Sequence, residues 1–280
     1  MQRLKHSFLL VFICSILFSQ HRGDSVVRQG VDAFFNYEYE KSIEILSNAR
    51  VEFYEHPVVH TVWAAAWYQF DQSQFSADTV YSKFETRLNE IEQIYDSLLT
   101  KYPGNAEYLL YLGTAQSLRA RIYLGQKRFV STFYAAYQGF RTIQRANKGS
   151  QGVKDIYLPI GVIEWYSGLS NPVVQIAAQT LGVDPSRTNG IKKMEIAANE
   201  SSWAWMEAMS ILSVVYQFFD LNEKRGLFVS RSIAEKYPKN YDYTIYYTLG
   251  LLQNGMLDQA NANLKLLDET LSIQRSYHQK

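Results

Sequence analysis

The chain has 280 residues, 47% hydrophobic and 20% charged, with a formal net charge of +1. That supplies apolar material for a sizeable core in one or two globular domains. The near-balanced charge, with Lys and Arg scattered and no run of them forming a patch, argues against a general nucleic-acid binder.

The N-terminus, "MQRLKHSFLLVFICSILFSQHRGDS", has a basic tip at Arg3 and Lys5, an apolar run from Phe8 to Phe18 and a small residue at Ser19. This is the layout of a secretory signal peptide over residues 1–19, too short to span a bilayer as a helix. Cleavage after Ser19 leaves 26 basic and 27 acidic residues, a net charge of −1. Cys14, the sole cysteine, lies inside the apolar run. Ile13 stands where a lipid-modified cysteine needs a small neighbour, so Cys14 is read as leaving with the signal. The exported chain then has no disulfide, no thiolate chemistry and no cysteine-ligated metal. The address read from this is the bacterial periplasm, either free there or held at the outer membrane. "RGDS" at 22–25 falls beside the cleavage point and is read as coincidence.

Helices are predicted at 26–35, 38–54, 57–70, 77–101, 105–124, 128–147, 153–168, 172–182, 188–199, 201–220, 223–237, 240–254 and 256–274, with no credible strand. Over 77–101, Phe84, Leu88, Ile91, Tyr95, Leu98 and Tyr102 recur every three or four residues and form one apolar stripe. The helix then meets "KYPGN" at 101–105, and a second helix meets "KYPKN" at 236–240. Proline ends each helix, and Gly104-Asn105 or Lys239-Asn240 completes the stop and begins the next. Most of the 21 tyrosines are read as packing between such helices.

The two pentapeptides begin 135 residues apart, about four times the roughly 34-residue period of tetratricopeptide repeats. The chain resembles that family in three places. "GVDAFFNYEYEKSIEILSNA" offers Gly30, Ala33, Ser42, Leu46 and Ala49, "YLLYLGTAQ" offers Leu112-Gly113, and "YTLGLLQNGMLDQANANLKLL" offers Leu249-Gly250, Ala260, Leu264 and Leu267. The expected fold is an all-α solenoid of about six helical hairpins. Repeats occupy 20–148 and 191–280 on either side of an irregular join at 149–190.

That join holds six glycines and three of the six prolines, and "IYLPIGVIEWYSGLSNPVVQIAAQTLGV" within it carries one charge, Glu164. It is read as a buried helix pair closing the core between two repeat blocks, with contact to a membrane or a partner as the alternative. "YSGLSNP…LGVDPSRTNGIKKMEIAA" also resembles a segment of the tetratricopeptide repeat 39 family, with Asp184-Pro185-Ser186-Arg187 at the turn.

Motifs that carry chemistry are few. His56 and His60 in "HPVVH" have helical metal-ligand spacing but lack the glutamate and third ligand of a zinc site, so no metal and no cofactor is expected. There is no phosphate-binding glycine loop and no nucleophile elbow. Glu90 and Glu92 fall on solvent-facing helix positions.

The repeat resemblance implies a non-catalytic scaffold that holds a peptide or partner helix in a concave groove. Its groove positions carry over to Glu107, Thr114 and Ser117, then Thr244, Tyr247 and Asn254. One alternative is a glycan- or small-ligand-binding protein with an aromatic platform drawn from Trp165, Tyr166, Trp203 and Trp205. A third reading is an enzyme using two carboxylates brought together by the fold.

Overall fold

The computed structural model of the chain describes residues 21–149 and 152–278, with side chains described as far as 268. The stretch 1–19 and Cys14 lie outside the described residues. Among the described residues there are thirteen α-helices and no strand: α1 (Asp24–Phe35), α2 (Tyr39–Glu52), α3 (Val59–Gln72), α4 (Ala77–Lys101), α5 (Ala106–Gly125), α6 (Phe129–Gly149), α7 (Tyr157–Leu169), α8 (Pro172–Thr180), α9 (Arg187–Glu200), α10 (Trp205–Val214), α11 (Glu223–Lys236), α12 (Tyr241–Gln253) and α13 (Leu257–His278). No described helix is long and apolar enough to cross a membrane.

Consecutive helices pack side by side, and the apolar stripes explain why. On α4 the predicted residues Phe84, Leu88, Ile91, Tyr95 and Leu98 are all buried, and they meet Ala64 of α3 and Leu112 of α5. Each such side chain contributes about 1.5–3 kcal/mol of burial. Tyr102, counted in the same stripe, is exposed instead: it is the C-cap, and its hydroxyl donates to Glu55 (2.9 Å).

The repeated pentapeptide makes the same turn twice. Tyr102 and Tyr237 cap their helices at φ −126°, ψ 73° and φ −126°, ψ 71°. Asn105 and Asn240 then each accept the backbone N–H three residues ahead, at 3.0 and 3.3 Å, and start α5 and α12.

The middle segment departs from its expected pairing. α7 packs chiefly on α9 and only slightly on α8. Glycines on both helices permit it, because a Cβ on Gly161 would stand 2.8 Å from the Gly190 carbonyl oxygen. α7 is buried through Leu158, Ile160 and Trp165, whereas α8 has no buried residue. The expected buried pair is therefore one buried helix and one surface helix. The stretch 201–220 is also not one helix. α10 begins only at Trp205 and ends in a π-helical turn at Val215–Phe219.

The end of α1 meets the α11–α12 turn. The Tyr37 hydroxyl donates to Asp242 and the Tyr237 hydroxyl to Asp32, both at 2.6 Å. Asn240 Nδ2 donates to the Phe35 carbonyl (2.8 Å), and the Lys239 N–H to Asn36 Oδ1 (3.1 Å). At its other end α1 lies against the starts of α3 and α5, where Asp24 accepts from His56 (2.9 Å) and His21 bonds Glu107 (3.1 Å). Midway, Arg28 donates to the Ser202 carbonyl (3.0 Å) and lies over the Trp203 ring (4.1 Å). α1 is thus a chord across the row of helices, about 18 Å long, joining its first arm to its last.

A candidate ligand chamber

Closure by α1 leaves a cavity of about 440 Å³ bordered by α1, α3, α5, α7, α10 and α12, with Phe84 of α4 reaching in from behind. Sequence spacing places the lining. Leu110, Thr114, Leu118 and Arg121 recur every three or four residues along α5, as do Val58, Thr61, Val62, Ala65 and Gln69 along α3. From α10 come Glu207, Ser210 and Ile211. The volume lies in the range of small-molecule sites.

Two acids border this space, and they differ in kind. Asp155 is buried, and its carboxylate accepts the backbone N–H groups of Ser202 (3.2 Å), Trp203 (2.8 Å) and Ala204 (2.7 Å). Burial raises its pKa and these three donors lower it. It holds the start of α10 and fixes Trp203, which also packs edge-on against His56 at 5.2 Å. Glu207 has no such role. Its side chain is exposed to the chamber space, and no described residue gives it a hydrogen bond or ion pair. Burial raises its pKa, and the positive charge of Arg121 draws it partly back.

Around Glu207 the walls are aromatic. Burial, with the Glu207 charge among the lesser causes, raises the phenol pKa values of Tyr111 and Tyr243. Phe34, Phe35 and Trp203 complete the lining on the α1 side. Towards the ends of α3 and α5 the Arg121 guanidinium lies 5.4 Å from the Tyr68 ring centre.

The residues singled out from the sequence are spread across the molecule. Of the six groove positions only Thr114 lines the chamber. Glu107 is bonded to His21, and Ser117 faces Gly139 between α5 and α6. Thr244 accepts the Thr248 hydroxyl on its carbonyl, and the Tyr247 hydroxyl accepts from Arg231 (3.1 Å). Asn254 caps α12 and donates to the Glu223 carbonyl (3.0 Å). The four aromatics do not form a platform. Trp165 is buried between α7 and Phe219, Tyr166 is exposed beside it, Trp203 lines the chamber, and Trp205 lies under Lys236.

Both nitrogens of His56 and of His60 are already engaged. His56 accepts from the Val58 N–H and donates to Asp24, while His60 accepts from Arg50 and donates to the Tyr54 carbonyl. Glu90 and Glu92 pair with Arg50 (2.5 Å) and Arg119 (2.6 Å). Comparison with protein-family models, curated proteins and solved structures returns no match.

Proposed function

We propose that the chain is a non-catalytic binding protein that takes a small organic cation with an apolar body into the chamber. The observation that carries this reading is Glu207, a carboxylate with no protein partner that faces an aromatic-walled chamber. A carboxylate among apolar walls attracts a positive charge more strongly than one in open water, so a ligand that supplies the opposite charge gains what the fold leaves unmet. Aromatic faces add cation–π attraction. The free acid stands alone, because Asp155 is committed to the start of α10, and this favours binding over carboxylate-pair hydrolysis.

The peptide-binding scaffold implied by the repeat resemblance needs an open concave face along the inner helices. α1 crosses that face, which favours a small ligand. Export through the 1–19 segment remains part of the proposal, with the ligand met outside the cytoplasm.

The test is calorimetry with 2-phenylethylamine, 2-phenylethanol and 3-phenylpropionate, which share a body and differ in charge. Preference for the amine, lost in Glu207→Gln, supports the proposal. Equal affinities, or an amine preference that survives Glu207→Gln, overturn it.

A further inference from the structure

From Tyr108 to Lys154 the chain has eight basic residues and no acid. The other 20 basic and 27 acidic side chains leave the rest of the chain at −7. Seven of these eight lie on α5, α6 and the turn between them, and the eighth, Lys154, pairs with Glu200 (3.1 Å). On α5 the charge is partly spent, since Arg119 pairs with Glu92 and Glu85. On α6 Arg141, Arg145 and Lys148 are exposed, and no described residue pairs with them.

α6 turns its small and apolar residues, among them Ala135, Gly139 and Ile143, towards α5. Opposite them, its first two turns present Phe129 (68% exposed), Val130 (87%), Phe133 (64%) and Tyr134 (61%). On helical spacing Val130, Tyr134, Arg141, Arg145 and Lys148 share one outward stripe. Aromatic and aliphatic side chains thus sit at one end of an acid-free basic face. This pattern marks helices that lie in a membrane interface, where rings enter the headgroup layer and cations meet lipid phosphates.

We propose that the outer face of α6 docks the protein on an anionic lipid surface, independently of what the chamber holds. The apolar turns of α6 follow directly on the end of α5, so docking brings lipid to the Arg121 end of the chamber.

The test is co-sedimentation of the full chain with vesicles of phosphatidylcholine, alone or mixed with phosphatidylglycerol. Sedimentation is expected only with the mixed vesicles, and added salt should release the protein. Arg141→Glu and Arg145→Glu should each weaken partitioning by at least roughly fivefold, the worth of about one surface cation. Phe133→Glu should abolish it, and Phe133→Trp should gain a blue-shifted emission on adding the mixed vesicles. Sedimentation that is absent, equal on neutral vesicles or unchanged in these variants overturns the proposal. So does cross-linking of position 134 to a protein while vesicles fail to bind.

Discussion

His56 and His60 are both held neutral by the fold. Burial lowers each pKa from its ordinary 6.5 to about 4, against the opposing pull of Asp24 on His56 and of the Tyr54 carbonyl on His60. Below pH 6.5 the unfolded chain takes up protons that the folded chain refuses. Stability that is complete above pH 6.5 is therefore lost as the pH falls towards 4, by up to about 1.4 kcal/mol per pH unit for each histidine. His21 works in the other direction, because its bond to Glu107 raises its pKa. Its contribution is fully present below pH 6.5 and lost above, so it leaves the acid window to the other two. Urea midpoints measured from pH 7 to 5 should fall steadily, and His60→Asn should flatten the profile. Asp155 and Glu207, whose pKa values burial raises, pull the other way, so the deciding result is the difference: a His60→Asn profile parallel to that of the unsubstituted chain would exclude the buried neutral state.

At the scale of elements, helix contact depends on missing side chains. A Cβ on Gly139 would lie 2.6 Å from the Gly113 carbonyl oxygen and 2.8 Å from the Ser117 nitrogen, both backbone atoms. Gly139→Ala must push α6 off α5 and should cost about 1–3 kcal/mol, although alanine favours the helix itself by about 1 kcal/mol. At Gly149 the nearest atom is 3.7 Å away, so Gly149→Ala should be neutral or slightly stabilising in the same denaturation experiment. Stripes, proline stops and asparagine caps made nearly every helix legible in the sequence, and α4 ends where its pattern ends. What local pattern does not contain is a partner far along the chain. The late start of α10 comes from Asp155, some 48 residues upstream. Glu164 and Glu207 are each the lone charge of an apolar stretch, and the sequence does not separate them. Only the packing of α9 on α7 gives Glu164 its Lys193 and leaves Glu207 free. A lone acid beside two tryptophans was the signal available for the chamber. The groove positions carried over from the repeat resemblance assume an open face, and of them only Thr114 lies on the chamber.

At the scale of the whole molecule, the seam between α1 and the α11–α12 turn combines the hydrogen bonds with aromatic packing, Phe35 on Tyr237 (5.9 Å) and Tyr37 on Tyr241 (5.0 Å). A cleft runs along it between Gln29, Asp32, Asn36, Glu38 and Lys236. Hydrogen bonds to charged partners contribute about 1.5–3 kcal/mol each. Tyr37→Phe and Tyr237→Phe should each lower stability by that order, and hydrogen exchange should show the loss first in α1 and α12. Unchanged protection in both helices would mean that the seam does not hold the ends together. The bonds across it join residues about 205 apart, while most other helix contacts are between neighbours or next neighbours in the chain. Hairpins of this kind order locally and quickly, whereas a loop of that length closes at a large entropic cost. α1 can therefore pair early with α2, but its seam with the α11–α12 turn waits for almost the last helix. Until then no chamber exists, and the moment of closure, late in folding, is also when its contents are first enclosed.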